Sequence, residues 1–385
     1  MFKIKIIRTS TVAISLDFLL KGQLAFLNKE YEVVAVSGKD QHLEKVAYRE
    51  GVRTESVTMQ RSISPLKDLV SLWKLFWLLK KEKPQIVHSI TPKAGLLSMI
   101  AAKLAGVPVR VHTFTGLIFP TRKGVIQVVL IYMDKLLCYC ATNIYPEGKG
   151  VKDDLIRYKI TNKPLKVLAN GNVNGIDKDY FDPELYNLED KIELRKKLGI
   201  LENDFIFIFV GRLVRDKGIN ELIAAFLKLE FNSKKVKLLL VGPFENDLDP
   251  LNNETIKAIE EFNNIITVGF QRDVRPYFAI SDALVFPSFR EGFPNVVLQA
   301  GAMGLPCIVT NINGSNEIIS EGQNGTIIPV KDEAALFNAM IKVSSDKDYY
   351  SVLKSNARKM ITSRYEQQVV WEALLAEYKS LEKNV

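Results

Sequence analysis

At 385 residues, with 47% hydrophobic and 25% charged side chains, the composition is that of a soluble globular protein, and the length exceeds what one core organises, so two domains are expected. Three cysteines exclude a disulfide framework and point to a reducing cytoplasm. The net charge of +8 is uneven, because residues 1–170 hold 27 Lys and Arg against 13 Asp and Glu, whereas residues 171–385 hold 25 against 31. A basic first half faces something anionic. No Arg-rich tract or nucleic-acid motif is present, so a membrane surface fits better than nucleic acid.

Lys3, Lys5 and Arg8 interrupt any signal-like apolar region and alternate into a buried first strand. The hydroxyls Thr9, Ser10 and Thr11 follow, then a helix from about Ser15 to Asn28. Tyr31 to Ser37 and Thr54 to Met59 read as strands two and three. A loop containing Arg61 leads to a helix from Leu66 to Lys81, which sets Trp73 and Trp77 four residues apart with lysines at its end. Such a helix either lies in a membrane interface or buries both rings in the core. Pro84 to Ser89 is a strand with the exit loop Thr91 to Gly95. Val109 to Thr113 is another, with the exit loop His112-Thr113-Phe114-Thr115-Gly116. Gly124 to Cys140 is helical and strongly apolar; its run from Val125 to Met133 holds Gln127, is closed by Asp134-Lys135 and is too short to span a bilayer. Cys138 and Cys140 lack a second pair at zinc spacing and read as core. Leu165 to Leu168 is expected as the last strand of this half, before the turn-rich Asn170 to Asp177.

The second half repeats the alternation, with strands at Phe205 to Val210, Val236 to Val241, Ile265 to Val268, Ala283 to Phe286, Cys307 to Thr310 and Thr326 to Ile328. Helices between them imply a parallel sheet covered on both faces, with ligands at the carboxyl ends of the strands. Gly211-Arg212-(x4)-Lys217-Gly218 follows one strand and opens a helix: Arg212 can fork onto phosphate oxygens and Lys217 adds a compact charge. It lacks the spacing of a P-loop. At Pro287 another strand stops. Glu291-Gly292-Phe293-Pro294 follows, and Pro294 is expected as the first helical residue, leaving the amides of Asn295, Val296 and Val297 for an anion. A carboxylate beside such a helix start suits a ligand carrying hydroxyls and phosphates.

Glu291-Gly-Phe-Pro-(x4)-Gln299 and Gly211-Arg212-(x4)-Lys217-Gly218 resemble the signatures of retaining glycosyltransferases of family 4, in the branch that builds capsule and O-antigen units. One departure is Gln299, where that family carries a second acid. The resemblance implies the α/β GT-B fold: two Rossmann-like parallel-sheet domains facing a central cleft, with a C-terminal helix crossing back to the first domain. The expected domains are residues 1–170 for the acceptor, 171–364 for the nucleotide-sugar donor, and 365–385 for the returning helix. It implies catalytic roles for Arg212, Lys217 and Glu291, and donor contacts from Gly211, Phe270, Arg272, Gly292, Phe293, Pro294, Asn295, Val296 and Gln299. Acceptor contacts are expected at Thr9, Ser10, Thr11, Arg61, Thr91, Lys93, His112, Thr115 and Gly116, although a lone histidine at a strand end is more often structural and His112 is not read as a general base.

The expected activity is transfer of a sugar, of the N-acetylated hexose type, from a UDP-sugar to a free or polyprenyl-diphosphate-linked sugar acceptor, with retention of configuration. Asp247-Leu248-Asp249 offers the D-x-D of metal-dependent transferases, but in a loop well past its strand. Arg212 and Lys217 supply the neutralising charge, so neither metal nor cofactor is expected. The expected location is the cytoplasm, at the inner face of the membrane through the basic first domain, with no nucleic acid as partner. Two other activities use the same residues: a GT-B sugar-nucleotide epimerase, and a non-catalytic nucleotide-sugar-binding protein, conceivable because Gln299 brings no charge.

Overall fold

The computed structural model describes residues 3–60, 62, 64–232, 235–245 and 249–384. They form two compact units, Met1–Gly175 together with Gln367–Val385, and Ile176–Glu366.

The first unit holds β1 (Lys5–Thr9), β2 (Glu32–Ser37), β3 (Arg53–Ser56), β4 (Ile86–Ser89), β5 (Val109–Phe114) and β6 (Asn143–Pro146), in the order β3-β2-β1-β4-β5-β6. Every pair is parallel; Ile7 lies between Val34 and Val87. The alternation of a strand sends Ile6, Val33 and Val109 to one face and Ile7, Val34 and Val87 to the other. Both faces are covered, which is why these strands read as near-continuous apolar runs.

Two expectations for this unit are corrected and one open alternative is decided. The sixth strand is Asn143–Pro146, with Ile144 and Tyr145 buried, whereas Leu165 makes a single bridge to Ile144 at the half-exposed edge. The expected helix from Ser15 to Asn28 is two helices, Ala13–Leu19 and Gln23–Asn28. Gly22 divides them at φ 81°, and a Cβ there would lie 2.6 Å from the Trp371 ring, so backbone shape and close packing both require glycine. The Pro65–Glu82 helix buries Ser71, Leu75 and Leu79 and leaves Trp73 61% and Trp77 55% exposed, so the tryptophans are not core.

The same helix ends on a buried carboxylate. Glu82 accepts from Arg53 Nη1 at 3.0 Å and from Lys5 Nζ at 3.0 Å. The Arg53 hydrogen bond outweighs burial and holds the Glu82 carboxyl down at about 2, below its ordinary 4.5. A folded value below the unfolded one means stability present above pH 4.5 and lost as pH falls toward 2. Glu82→Gln is expected to cost about 1–2 kcal/mol at neutral pH, and its urea unfolding curve to converge on the parent curve in strong acid.

The chain stretch from Asn170 to Gly175 belongs to the first unit and not to a linker. Asn172 N–H donates to Glu147 O at 2.8 Å, and Asn174 accepts from Trp371 Nε1 at 2.7 Å. The helix Gln367–Leu381 is part of this unit too: Leu374, Tyr378 and Leu381 join the face carrying Ile6 and Ile86.

The second unit holds β7 (Phe205–Val210), β8 (Val236–Val241), β9 (Ile265–Thr267), β10 (Ala283–Phe286), β11 (Cys307–Thr310) and β12 (Gly325–Ile328). Their order is β12-β11-β10-β7-β8-β9, again all parallel. In both units the first strand and the fourth are neighbours, so the strand order reverses there. A crevice outside the carboxyl ends of the strands opens at such a reversal.

Candidate active site

In the second unit the reversal falls between β7 and β10. The chain leaves β7 through Gly211 and Arg212 and turns at Arg215–Lys217 into the helix Ile219–Asn232. From β10 it runs through Pro287 to the helix Asn295–Ala302. Hydrogen bonds fasten these two exit loops together. Phe289 N–H donates to Asp216 O at 2.9 Å, and Arg290 Nε to the Asp216 carboxylate at 3.0 Å. Gly218, at φ 72°, has no room for a side chain: a Cβ would stand 2.2 Å from Pro287 O.

That fastening brings Lys217 and Glu291 into an ion pair, each side chain only 18% exposed. Glu291 Oε1 also accepts from Ser288 Oγ at 2.8 Å, and Ser288 O accepts from Thr310 Oγ1 at the end of β11. The Lys217 ammonium stands 5.4 Å from the centre of the Phe286 ring. A cation and a carboxylate, both largely shielded, stand together at the sheet's reversal. One can meet phosphate oxygens and the other hydroxyls.

Other expected donor residues are placed less tightly. Arg212 is 53% exposed and paired with Glu245, which follows β8. Pro294 caps the helix and stands outside it, because Asn295 is the first helical residue and Val297 N–H already donates to Pro294 O at 3.1 Å. The amide set at that helix mouth is therefore smaller than the three expected. Phe293 is buried and packs its ring 5.5 Å from Tyr365, so its side chain is core. Gln299 is half-buried, one turn into the helix. Phe270 and Arg272 are exposed on the loop after β9, which is tied to the exit of β8 by Gly242 N–H donating to Gly269 O at 2.9 Å. Asp247 lies outside the described residues; Asp249 accepts from Arg215 Nε at 3.1 Å and from Asp216 N at 2.6 Å. Among the described residues no group of three His, Cys, Asp or Glu is placed to hold a metal ion.

In the first unit the reversal falls between β1 and β4, and a cavity of about 400 Å³ opens there. Its polar wall is Thr11, Ser15, Thr91, Lys93 and Asp134, and its apolar wall includes Leu96, Phe114, Ile118, Leu130 and Met133. Thr11 N–H donates to Thr91 Oγ1 at 2.8 Å, and the two hydroxyls share a further 2.8 Å bond. Gly116 lines the cavity as well. Lys93 is held by both oxygens of Asp68 at 2.8 Å.

Other residues expected at the acceptor are hydrogen-bonded within the first unit. Thr9 accepts from Ser98 Oγ at 2.9 Å, Ser10 Oγ donates to Val12 O at 2.8 Å, and Thr115 donates to Ile90 O at 3.0 Å. His112 is buried on β5, with Nδ1 2.8 Å from Ser89 Oγ, and burial lowers its pKa to about 3. It is a neutral core side chain and does not line the cavity. Arg61 lies outside the described residues. Asp134 is the residue that sequence reasoning missed. Burial raises its carboxyl to about 7, and the visible signal was an acid within the apolar helix Gly124–Cys140.

Two doubly wound parallel sheets in one chain, the second bearing a Gly-Arg-(x4)-Lys-Gly exit loop at its reversal, define a GT-B glycosyltransferase. The family model for Glycosyl transferases group 1 matches residues 190–360, and that for Glycosyl transferase 4-like matches residues 12–147. Over 98% of its length the chain is 32% identical to the capsular polysaccharide biosynthesis glycosyltransferase CapM of Staphylococcus aureus, of which it covers 98%. It is 34% identical to the UDP-Gal:alpha-D-GlcNAc-diphosphoundecaprenol alpha-1,3-galactosyltransferase of Escherichia coli, with 80% of this chain and 78% of that one aligned. The structure of Anabaena HepE in complex with UDP is similar in fold, with a TM-score of 0.81 over 98% of this chain and 100% of that one, at 19% identity. The chain belongs to the GT-B glycosyltransferases of the capsule and O-antigen branch.

Proposed function

We propose that this glycosyltransferase moves a sugar of the N-acetylated hexose type from a UDP-sugar to a polyprenyl-diphosphate-linked sugar, with retention of configuration and without a metal ion. The observation that carries the reading is the Lys217–Glu291 pair at the reversal of the second sheet. UDP bound in HepE supports a nucleotide-sugar donor, and the name of the Escherichia coli relative supports a lipid-diphosphate acceptor.

In this mechanism an acceptor hydroxyl oxygen bonds to C1 of the donor sugar as the bond from C1 to the diphosphate oxygen breaks. The electron pair of that bond goes to the diphosphate, whose leaving oxygen takes the acceptor proton. Lys217 and Arg212 meet the charge that appears there. Glu291, held by Lys217 and Ser288, orients sugar hydroxyls and is not assigned as a nucleophile. Incubation with UDP-sugars, with and without a GlcNAc-diphosphate-alkyl acceptor, tests the reading by mass spectrometry of the products. An acceptor heavier by one sugar supports it, and a changed sugar released from donor alone would replace it with epimerisation.

Membrane association is part of the same proposal. Among the described residues no helix is long and apolar enough to cross a bilayer. Yet the helices Pro65–Glu82 and Gly124–Cys140 both pack on Pro92–Ala105 and both expose large apolar side chains, among them Trp73, Trp77, Val125 and Tyr132. Lys80 and Lys81 close the first of them and Lys135 lies on the second. Apolar rings inserted at the headgroup level, with lysines facing anionic lipid, hold a protein peripherally. Trp73→Ser with Trp77→Ser is expected to lower partitioning onto anionic liposomes about tenfold, read by flotation. Equal binding to neutral and anionic liposomes by the parent protein would remove this part of the proposal.

A further inference from the structure

We infer that Asp134, with Thr11 and Thr91, forms a subsite in the first unit that grips the sugar ring of the acceptor and fixes which hydroxyl is offered for transfer. The inference rests on the glycosyltransferase reading above and adds to it the residues and the chemistry of acceptor recognition.

The cavity sets the terms. About 400 Å³ is the size of a small-molecule site, and its walls are divided by chemistry. One side is hydrocarbon from Leu96, Ile118, Leu130 and Met133, which suits the C–H face of a pyranose or the methyl of an acetamido group. The other side carries hydroxyls and one carboxylate.

Thr91 Oγ1 accepts from Thr11 N–H at 2.8 Å, and Thr11 Oγ1 accepts from Ala94 N–H at 3.1 Å. The bond shared between the two hydroxyls uses one of their two hydrogens. The other has no acceptor within the unit among the described residues, so the pair presents one donor to the cavity. Lys93 is occupied by Asp68 and by the Ser62 carbonyl. Asp134 is different. Among the described residues its carboxylate makes no hydrogen bond and no ion pair, although it lines a mostly apolar cavity.

A carboxylate in such a place is a cost to the fold that nothing internal offsets. Sugar hydroxyls or an acetamide N–H are donors of the kind it lacks, and charge-assisted bonds to them are strong ones. Burial alone raises the Asp134 carboxyl to about 7, so it is partly ionised at neutral pH. The charged and titratable groups around it are few. Cys138 lies one turn along its own helix, Lys135 is turned over the Tyr132 ring at 5.7 Å, and Lys93 on the neighbouring helix is closed onto Asp68. None supplies a counter-charge that would hold Asp134 ionised without ligand.

The experiment uses the full chain and a probe of N-acetylglucosamine linked through a diphosphate to a medium-length alkyl chain. Acceptor and donor KM, probe binding by calorimetry and Tm are read for the parent, Asp134→Asn and Asp134→Glu. Asp134→Asn is expected to raise acceptor KM and probe Kd about tenfold above pH 8, the loss of one charge-assisted bond, with donor KM within about twofold. The parent's acceptor KM should fall as pH rises through 7, that of Asp134→Asn should not, and Asp134→Glu should recover part of the affinity. Tm of Asp134→Asn should exceed the parent's most above pH 7 and converge on it only as pH falls below 3.8, because an acid raised on folding costs stability wherever the unfolded chain ionises it. A probe bound by the parent and lost by Asp134→Asn supports the subsite even where no transfer is seen, which would count against the transferase reading alone. Equal probe binding by both proteins, or by neither, overturns the inference.

Discussion

Lys217→Ala is expected to lower kcat by about 10²–10³ and to leave the protein folded, as read by steady-state kinetics and Tm. The magnitude is that of removing one preorganised group from where charge develops in the transition state. It is large because of the position of the ammonium: at 18% exposure, against the Phe286 ring and tied to Glu291, Lys217 is screened by little water. Arg212 is 53% exposed, so Arg212→Ala should cost less, about 10–100-fold, and mainly in donor KM. Added salt separates the two, since it shields the exposed guanidinium more than the half-closed ammonium. Lys217→Arg should not restore the rate, because a planar fork does not fit a space shaped for a compact charge. Near-normal turnover of Lys217→Ala in a single-turnover assay would remove Lys217 from the chemistry.

The two exit loops that carry Lys217 and Glu291 were legible because each is a local motif, although 74 residues separate the pair. Phe205 to Val210 and Ala283 to Phe286 are unbroken apolar runs, each closed by Gly or Pro, and a parallel sheet puts whatever follows such runs at one end. Sequence could not show which partners those loops choose. Arg212 meets Glu245 across 33 residues, and Pro294 stands one residue outside the helix that it was expected to open. The first unit was harder for the same reason. His112 disappears into the core because Gly95, on another element, leaves room for its ring: a Cβ at Gly95 would stand 2.4 Å from it. Asp134 reads in sequence as the polar end of an apolar run. Only the packing of its helix against Pro92–Ala105 turns it toward a cavity. The sixth strand escaped notice because Asn143–Pro146 is four residues long and ends on a proline.

Tyr378→Ala is expected to destabilise the first unit by about 3–5 kcal/mol, a loss read by urea unfolding. Two separate losses contribute. Tyr378 is fully buried among Leu374, Leu381 and Tyr31, with its ring edge-on to Tyr31 at 5.9 Å, so truncation opens a cavity under the returning helix. Its hydroxyl also connects a buried polar chain. Arg8 Nη1 donates to it at 3.1 Å, it shares a 2.6 Å hydrogen bond with His88 Nδ1, and His88 Nε2 shares one of 2.7 Å with Thr113 Oγ1. The His88 pKa is driven well below 6.5 first by burial and then by the Arg8 charge, so the imidazole is neutral and one of its ring nitrogens donates while the other accepts. Arg8 itself is 0% exposed, and two of its nitrogens find no acceptor among the described residues. Its Nη1 bonds to Tyr378 and to Gln23, at 3.0 Å, are what hold the charge in place. Tyr378→Phe keeps the ring and removes the link, and should cost about 1–3 kcal/mol. The difference between the two variants is the packing share. Should Tyr378→Phe cost as much as Tyr378→Ala, the buried guanidinium, and not the apolar face, is what seats the last helix on the first sheet.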